Sequence, residues 1–417
     1  VRMSYGASRF WLLAQYLQDP NVFNLGCQFK LSGRIQKEDS ERCVFELGQR
    51  HEAFRTAFIG NPDNFNEPTM AVLRTTKLRL QRREGATEAD VEAEMKELLS
   101  HEYRLEQGEV IRMKLISVDD HTHHVLFGFH HIAMDGFSFN TLLSDINMLY
   151  DKAALDPVRV QYSDFATRQR AQVMDGTLDN DYKFWEDMYS TKDENGDVKR
   201  DFPEPLPLFK IARSSRQPLD DYDYNEVKLD LDTRTVRQIK AQCRRHKITT
   251  FHFFLSVLRV FLFRHLEVDD LVIGIADANR VDADIEQTVG FMLNLLPLRF
   301  KKADSDDDMP FKSISENVRI TVYEALAHSR LPFDALLEKL NIPRSTTHSP
   351  LFQAFMDYRP FQPDYRPTLF GGEVSGTATV GKNGYDLTLD VNEVDRNDIR
   401  VALRLQKYLY SQESTQV

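Results

Sequence analysis

His123-His124-Val125-Leu126-Phe127-Gly128-Phe129-His130-His131-Ile132-Ala133-Met134-Asp135-Gly136-Phe137-Ser138-Phe139 is the stretch from which the rest of the chain is read. Val125, Phe127 and Phe129 alternate with Leu126, Gly128 and His130 in the period-two pattern of a strand, and Asp135-Gly136 is a turn signal that stops it. Beyond the turn, Leu142, Leu143, Ile146, Leu149 and Tyr150 recur at helical spacing. Two histidines therefore stand at the end of a strand that runs through a loop into a helix. Neighbouring side chains on an extended segment point to opposite faces, so His130 and His131 cannot both face one cavity if the strand continues through them. One is then structural and one available, and an available imidazole suits proton transfer near neutral pH. On spacing alone, the commoner reading is a partly buried strand end with satisfied hydrogen bonds. Gly136 permits a positive φ or a close backbone approach, and Asp135 reads first as a turn aspartate capping the backbone that follows it.

Working outward, Val110 to Val118 also alternates and pairs with His123 to His130 through Asp119-Asp120. Upstream lie a helix from Ser4 to Gln18 with Ser8 as its cap, a strand from Asn24 to Leu31, and an amphipathic helix from Lys37 to His51. The short strand Leu78 to Leu80 and the helix Thr87 to Glu102 follow. Arg50-His51-Glu52-Ala53-Phe54-Arg55 gathers charged groups at a helix-to-strand junction, where an ordinary salt-bridged turn is the first reading. Gln161 to Asp187 reads as one helix, and Lys192 to Pro218, charged and proline-rich, as a connection. The second half alternates again. Strands are expected at Tyr224 to Leu231, Leu271 to Ile275, Gly290 to Phe300, Leu351 to Tyr358, Gly372 to Ala378, Leu387 to Val391 and Ile399 to Leu405. Helices are expected at Asp232 to His246, Thr250 to Leu266, Phe311 to Ala327 and Pro332 to Leu340, with an acidic loop at Asp304 to Asp308.

The 417 residues exceed one ordinary core, and their 41% hydrophobic and 28% charged content is that of a globular protein. A net charge of -11 argues against a nucleic-acid partner. Cys27, Cys43 and Cys243 are scattered and odd in number, so no disulfide framework or zinc spacing is present and a reducing, cytoplasmic setting fits. No run approaches the roughly 18 apolar residues of a membrane span, and the chain reads as a piece of something longer. The glycine-rich nucleotide loops, the GxSxG elbow and the HExxH helix are all absent, so no cofactor of its own is expected. A metal reading of His130, His131 and Asp135 is weak, because adjacent histidines diverge on a strand and no further ligand set has a recognisable spacing.

His130-His131-Ile132-Ala133-Met134-Asp135-Gly136 resembles the HHxxxDG motif of condensation domains of nonribosomal peptide synthetases, relatives of chloramphenicol acetyltransferase. Ser4-Tyr5-Gly6-Ala7-Ser8-Arg9-Phe10-Trp11 resembles that family's opening S-x-A-Q-x-R-L-W, with Gly6-Ala7-Ser8 at the place of its glutamine. Arg50-His51-Glu52-Ala53-Phe54-Arg55-Thr56-Ala57-Phe58 resembles R-H-E-x-L-R-T-x-F, and Tyr162-Ser163-Asp164-Phe165-Ala166 resembles Y-x-D-F-A. Val289 to Asn294 is similar to V-G-x-F-V-N, Leu331-Pro332-Phe333-Asp334 to the Y-P-F-E box, and Ser349 to Gln353 to N-P-L-F-Q. The wording around Phe352 to Arg359 looks most like condensation domains fused to fungal polyketide synthases (hybrid PKS-NRPS enzymes), including those of statin nonaketide synthases.

The resemblance implies an α/β (α+β) fold of two chloramphenicol-acetyltransferase-like lobes forming a V with a central tunnel. The N-terminal lobe would span 1–187, a linker 188–221 and the C-terminal lobe 222–417. It implies an acyltransferase that joins a polyketide acyl thioester on an upstream acyl carrier protein to an aminoacyl thioester on a downstream peptidyl carrier protein. Both substrates would ride on phosphopantetheine arms, and the further partners would be other domains of the same megasynthase, with no membrane and no nucleic acid. His131 becomes the catalytic histidine, and the Gly136 N–H an oxyanion donor. His130, Asp135 and Arg280 become structural active-site residues, Asp135 pairing with Arg280; Ser138, Asn294 and Tyr358 become tunnel-lining candidates, and no metal is implied. The rival expectations are a non-catalytic scaffold or carrier-docking module and an ester-forming acyltransferase.

Overall fold

The computed structural model describes every residue except 18, 65–66, 219–221, 303–308, 362–367, 383 and 417. The acidic loop expected at Asp304 to Asp308 lies outside the described residues. The chain divides into two compact units, one comprising Val1–Gly176, Ala278–Leu293 and Tyr365–Lys382, the other Thr177–Asp277, Asn294–Asp364 and Asn383–Val417. Each unit takes segments from both halves of the sequence, unlike the contiguous lobes that the resemblance implies. The reason is local to the first unit: Gly372–Val380 pairs antiparallel with Asn24–Ser32, and Ala278–Leu293 is tied by hydrogen bonds to the loop after the histidine strand.

The first unit is built on a six-stranded sheet in the order Thr368–Leu369, Gly372–Val380, Asn24–Ser32, Thr122–His130, Ile111–Ser117, Leu80–Glu84. Its last pair is parallel and the rest are antiparallel. Thr122–His130 is an interior strand, and every residue after Thr122 is buried. The period-two pattern sorts its side chains. Val125, Phe127 and Phe129 join the main core with Cys43, Val44 and Leu47 of the helix Lys37–Arg50 and Leu142, Leu143 and Ile146 of the helix Ser138–Tyr150. Leu126 goes to the opposite face, under Val91, Met95 and Leu98 of the helix Glu88–Leu99. Burying a side chain of this size stabilises by about 1.5–3 kcal/mol, so the alternation fixes the register and delivers the histidines to one end of the sheet.

Two helix boundaries differ from the periodicity. The first helix spans Tyr5–Ala14 and is capped by Ser4, whose Oγ accepts from the Ala7 N–H at 3.1 Å; Ser8 is inside the helix, its hydroxyl taken by Arg170. The helix expected over Gln161 to Asp187 is two, Tyr162–Met174 and Asp179–Met188, because Gly176 adopts φ 83°, a left-handed conformation that ends the first. In the second unit a six-stranded sheet runs Asn294–Lys301, Asp270–Asp277, Ala354–Arg359, Leu387–Asp395, Asp398–Gln406, Tyr224–Leu231. The strand read from Gly290 begins only at Asn294. The Met292 and Leu293 N–H groups donate to the Asp135 carboxylate and are not available to a ladder.

The Arg50-His51-Glu52 junction is a buried knot. Asp145, 6% exposed, accepts from Arg50 Nε at 2.7 Å and lies 2.8 Å from His51 Nε2, while Glu52 accepts from the Ser163 hydroxyl. Asp145 stands on the apolar stripe of its helix between Leu142 and Leu149, so this carboxylate is buried because it is paired.

Candidate active site

The site is made where the histidine strand stops. The His130 N–H donates to the Val110 carbonyl on one side and the His131 N–H to the Phe23 carbonyl on the other, at 3.0 and 2.8 Å. The two N–H groups point to opposite sides as in an extended segment, and the strand ends at His130 with His131 in the turn; Phe10 lies near both rings, at 6.4 and 5.1 Å. His130 is 3% exposed, and its Nδ1 accepts the Ile132 N–H at 3.1 Å. Burial, with a smaller contribution from His131, holds its pKa down at about 3. It is a neutral, load-carrying element of the turn with the proton on Nε2.

His131 is half-buried. Its Nδ1 lies 3.0 Å from the Met134 carbonyl, which can only accept, so Nδ1 carries the proton and Nε2 the lone pair. Among the described residues, Nε2 has no hydrogen-bond partner. Burial lowers the imidazole pKa most, and Arg9 lowers it further. The Met134 carbonyl and Asp135 act in the opposite direction. The ring is flanked by Phe10, with centroids 5.1 Å apart, and by Phe291, edge-on at 5.1 Å and 86°. A neutral imidazole with one nitrogen anchored and the other free can accept a proton in a defined direction.

Asp135, 1% exposed, is saturated by donors. Oδ1 accepts from the Ser138 N–H at 3.0 Å, the Ser138 hydroxyl at 2.9 Å and Arg280 Nη2 at 2.9 Å. Oδ2 accepts from Arg280 Nη1 at 3.1 Å, the Met292 N–H at 3.0 Å and the Leu293 N–H at 3.2 Å. Arg280 also donates to the Ala278 carbonyl and lies 4.7 Å from the Phe137 ring centroid. The carboxylate has no capacity left for a metal or substrate; it ties Ala278–Leu293 to the histidine loop. Among the described residues, no group of three or more His, Cys, Asp or Glu side chains comes together as a metal-ligand set.

The other candidates are placed differently from the expectation. Ser138 has zero exposure, and its hydroxyl is engaged with Asp135, Arg280 and Gly290, so it seals the loop. Asn294, in the second unit, donates to the Ser329 and Leu331 carbonyls and accepts from the Leu295 and Phe333 N–H groups. All its hydrogen-bonding capacity is used internally, so it too is structural. Tyr358, also in the second unit, donates its hydroxyl hydrogen to Glu393. Gly136 is exposed, its φ is not positive, and a β-carbon added there meets nothing within 4 Å. The glycine therefore serves neither backbone strain nor close approach within the protein. It keeps the space beside its backbone open. Phe10 and Phe291, which flank His131, escape a reading by periodicity because each belongs to an apolar run that any core would use.

Acid should destabilise the fold through His130. Its folded pKa is about 3 and its unfolded one about 6.5, so below pH 6.5 the unfolded chain binds a proton that the folded chain does not. Stability is full above that value and is lost as pH falls toward 3. At pH 5 the loss from this residue alone is about 2 kcal/mol. It adds to losses from His51, His131 and His252, whose pKa values are also lowered, chiefly by burial. Urea unfolding at pH 7 and pH 5 measures it, and an equal midpoint at both contradicts the assignment.

Comparison with known proteins places this geometry. The family model described as "Condensation domain" matches residues 7–417. The "Hybrid PKS-NRPS synthetase buaA" of Petromyces alliaceus is 39% identical over 99% of this chain, and the "Polyketide synthase-nonribosomal peptide synthetase ffsA" of Aspergillus flavipes is 38% identical over 98%. The chain spans about a tenth of the length of either, 10% in each case. Among solved structures, the condensation domain of the Monacolin K polyketide synthase MokA superposes with a TM-score of 0.89 at 25% identity, covering 100% of this chain and 94% of that one. The first condensation domain of the calcium-dependent antibiotic synthetase shares the fold, with a TM-score of 0.77 at 18% identity over 100% of this chain and 93% of that one. No helix among the described residues is long and apolar enough to cross a membrane. With the chain matched almost end to end and its mixed helix-and-strand architecture shared, this protein belongs to the condensation-domain family and is similar to the condensation domains of fungal hybrid PKS-NRPS synthetases.

Proposed function

We propose that the chain is an acyltransferase that forms an amide between a polyketide acyl thioester on an acyl carrier protein and the amine of an aminoacyl thioester on a peptidyl carrier protein. The observation that carries this reading is the tautomer of His131, with Nδ1–H held by the Met134 carbonyl and Nε2 free. The amine attacks the acyl carbonyl as Nε2 accepts its proton. The C–S bond then breaks, and the proton passes to the departing thiolate, so one thioester and one amine become one amide and one thiol. The Gly136 N–H has no acceptor among the described residues and is the candidate donor to the oxyanion. Exchange of thioester for amide supplies the driving force. Phosphopantetheine arms of the two carriers bring the substrates; His130, Asp135 and Arg280 hold the loop in place.

The test supplies the chain with an acyl-carrier thioester and an aminoacyl-carrier thioester and reads the acceptor carrier by intact mass. The reading requires an amide-linked acyl chain on the acceptor. Ester product from a hydroxyacyl acceptor only, or no product above the protein-free control, overturns it in favour of an ester-forming or a scaffolding role. Gly136→Ala adds a second check. Since its β-carbon meets no protein atom, folding stability should change by no more than about 1 kcal/mol. Amide formation should nevertheless fall about 10- to 100-fold, because a methyl group beside the reacting carbonyl misplaces it. Wild-type turnover in Gly136→Ala would show that the reacting carbonyl does not use the space beside this glycine.

A further inference from the structure

We propose that Phe291 is a positioning residue for His131, seated in space that Gly6 leaves open and holding the imidazole in the orientation in which Nδ1–H meets the Met134 carbonyl. This rests on the reading of His131 as the proton acceptor. Three aromatic rings meet here: Phe10 to His131 at 5.1 Å, Phe291 to His131 at 5.1 Å and 86°, and Phe10 to Phe291 at 4.8 Å and 87°. Phe291 meets the imidazole edge-to-face, a directional packing, while Phe10 lies tilted against it at 36°, so Phe291 restricts rotation of the imidazole. Phe291 is 2% exposed, and the backbone on both sides of it is tied to the loop that follows His131. The Gly290 N–H donates to the Ser138 hydroxyl at 3.2 Å and the Met292 N–H to Asp135 at 3.0 Å. Asp135 and Arg280 therefore act on His131 at second hand, by presenting Phe291 to it.

The residue at position 6 completes the seat. A β-carbon there would lie 2.6 Å from Phe291 Cε1 and 2.8 Å from Cδ1, closer than real carbons approach, so only glycine lets the ring occupy this place. The groups that set the charge of the imidazole come from each neighbouring element. Arg9 comes from the first helix, Asp135 and the Met134 carbonyl from the loop itself, and His130 from the strand; Arg280, on the Ala278–Leu293 segment, is committed to Asp135. With the phenyl ring gone, water reaches the imidazole and favours its charged form, which raises its protonation midpoint. Activity needs the neutral form, so the acidic limb of the pH–rate profile moves to higher pH.

Phe291→Leu keeps most of the side-chain volume, and Gly6→Ala keeps the ring but displaces it. Both are expected to lower kcat about 10- to 100-fold with KM within about threefold, and to raise the acidic limb of kcat/KM by about one pH unit. Selective isotope labelling of histidine, read by NMR without substrate, should show the same rise in the His131 midpoint. The double variant Gly6→Ala/Phe291→Leu should be more active than the product of the single effects, since the smaller side chain accepts the added methyl. A role confined to packing would lower the urea midpoint and leave the His131 midpoint in place. A wild-type NMR midpoint in both single variants, with kcat within twofold, overturns the proposal. The NMR midpoint reads the positioning of His131 whether or not amide formation proves to be the reaction, so failure of the functional reading is distinguished from failure of this one.

Discussion

Arg280→Ala should lose about 3–5 kcal/mol of folding stability, a large share of the roughly 5–15 kcal/mol that holds a typical domain together. Arg280 and Asp135 side chains are 3% and 1% exposed and meet through two parallel N–H···O contacts of 3.1 and 2.9 Å. Such a fork matches carboxylate geometry, and in a buried setting the desolvation of both ions is already spent in reaching it. Removing the guanidinium alone leaves the Asp135 charge buried with only the Ser138, Met292 and Leu293 donors. It also removes donors from the Ala278 carbonyl and the Ser138 hydroxyl. Arg280→Lys keeps the charge, loses the fork and should fall between the two. In a double-mutant cycle, Asp135→Asn/Arg280→Ala should cost less than the two single changes added together, because the second removes a charge the first has stranded. The measurement is urea unfolding at pH 7. A wild-type midpoint in Arg280→Ala would show that the pair does not hold the Ala278–Leu293 segment to the histidine loop.

How much of this was legible depends on whether the responsible force is local. The strand Thr122–His130 and its successor helix Ser138–Tyr150 follow from alternation and helical spacing, because each period is imposed by burial on one face. The opposite N–H directions of His130 and His131 follow from the pleat. Which of them is available does not follow from it, and that assignment came through resemblance to a family motif. The Gly290–Leu293 run reads as strand because it is apolar. The structure gives the Met292 and Leu293 N–H groups to a carboxylate far away in the sequence, and no window of sequence carries that information. Gly176 could be seen as a break, yet the helical signal on both sides outweighs one glycine. Asp145 did carry a local signal, a carboxylate on an apolar helical stripe, which implies a buried partner without naming Arg50 and His51. Ser138, Asn294 and Tyr358 illustrate one limit of a local reading. Residue type and motif position show that a polar group is present, whereas only the fold shows that its hydrogen bonds are already satisfied internally.

The larger kinetic effect is expected at His131. The residue combines an anchored Nδ1, an unpartnered Nε2 among the described residues and a pKa held down by burial, so the free base is its resting form at neutral pH. A positioned general base contributes about 10²- to 10⁴-fold to rate. His131→Ala should lose that factor in kcat while preserving the fold, since the side chain is only half-buried and its single hydrogen bond is to a carbonyl within its own turn. His131→Gln can still donate to Met134 but cannot accept a proton at neutral pH, and should be as slow as the alanine variant. His130→Ala, by contrast, opens a cavity and strands the Ile132 N–H, so its main effect should be on stability. The most direct measurement is single-turnover amide formation from carrier-bound acyl and aminoacyl thioesters, comparing wild type with His131→Ala at equal urea stability. An amide is expected with the wild-type chain, at a rate at least about 100-fold higher than with the variant; equal rates for the two would contradict the role of His131 as proton acceptor.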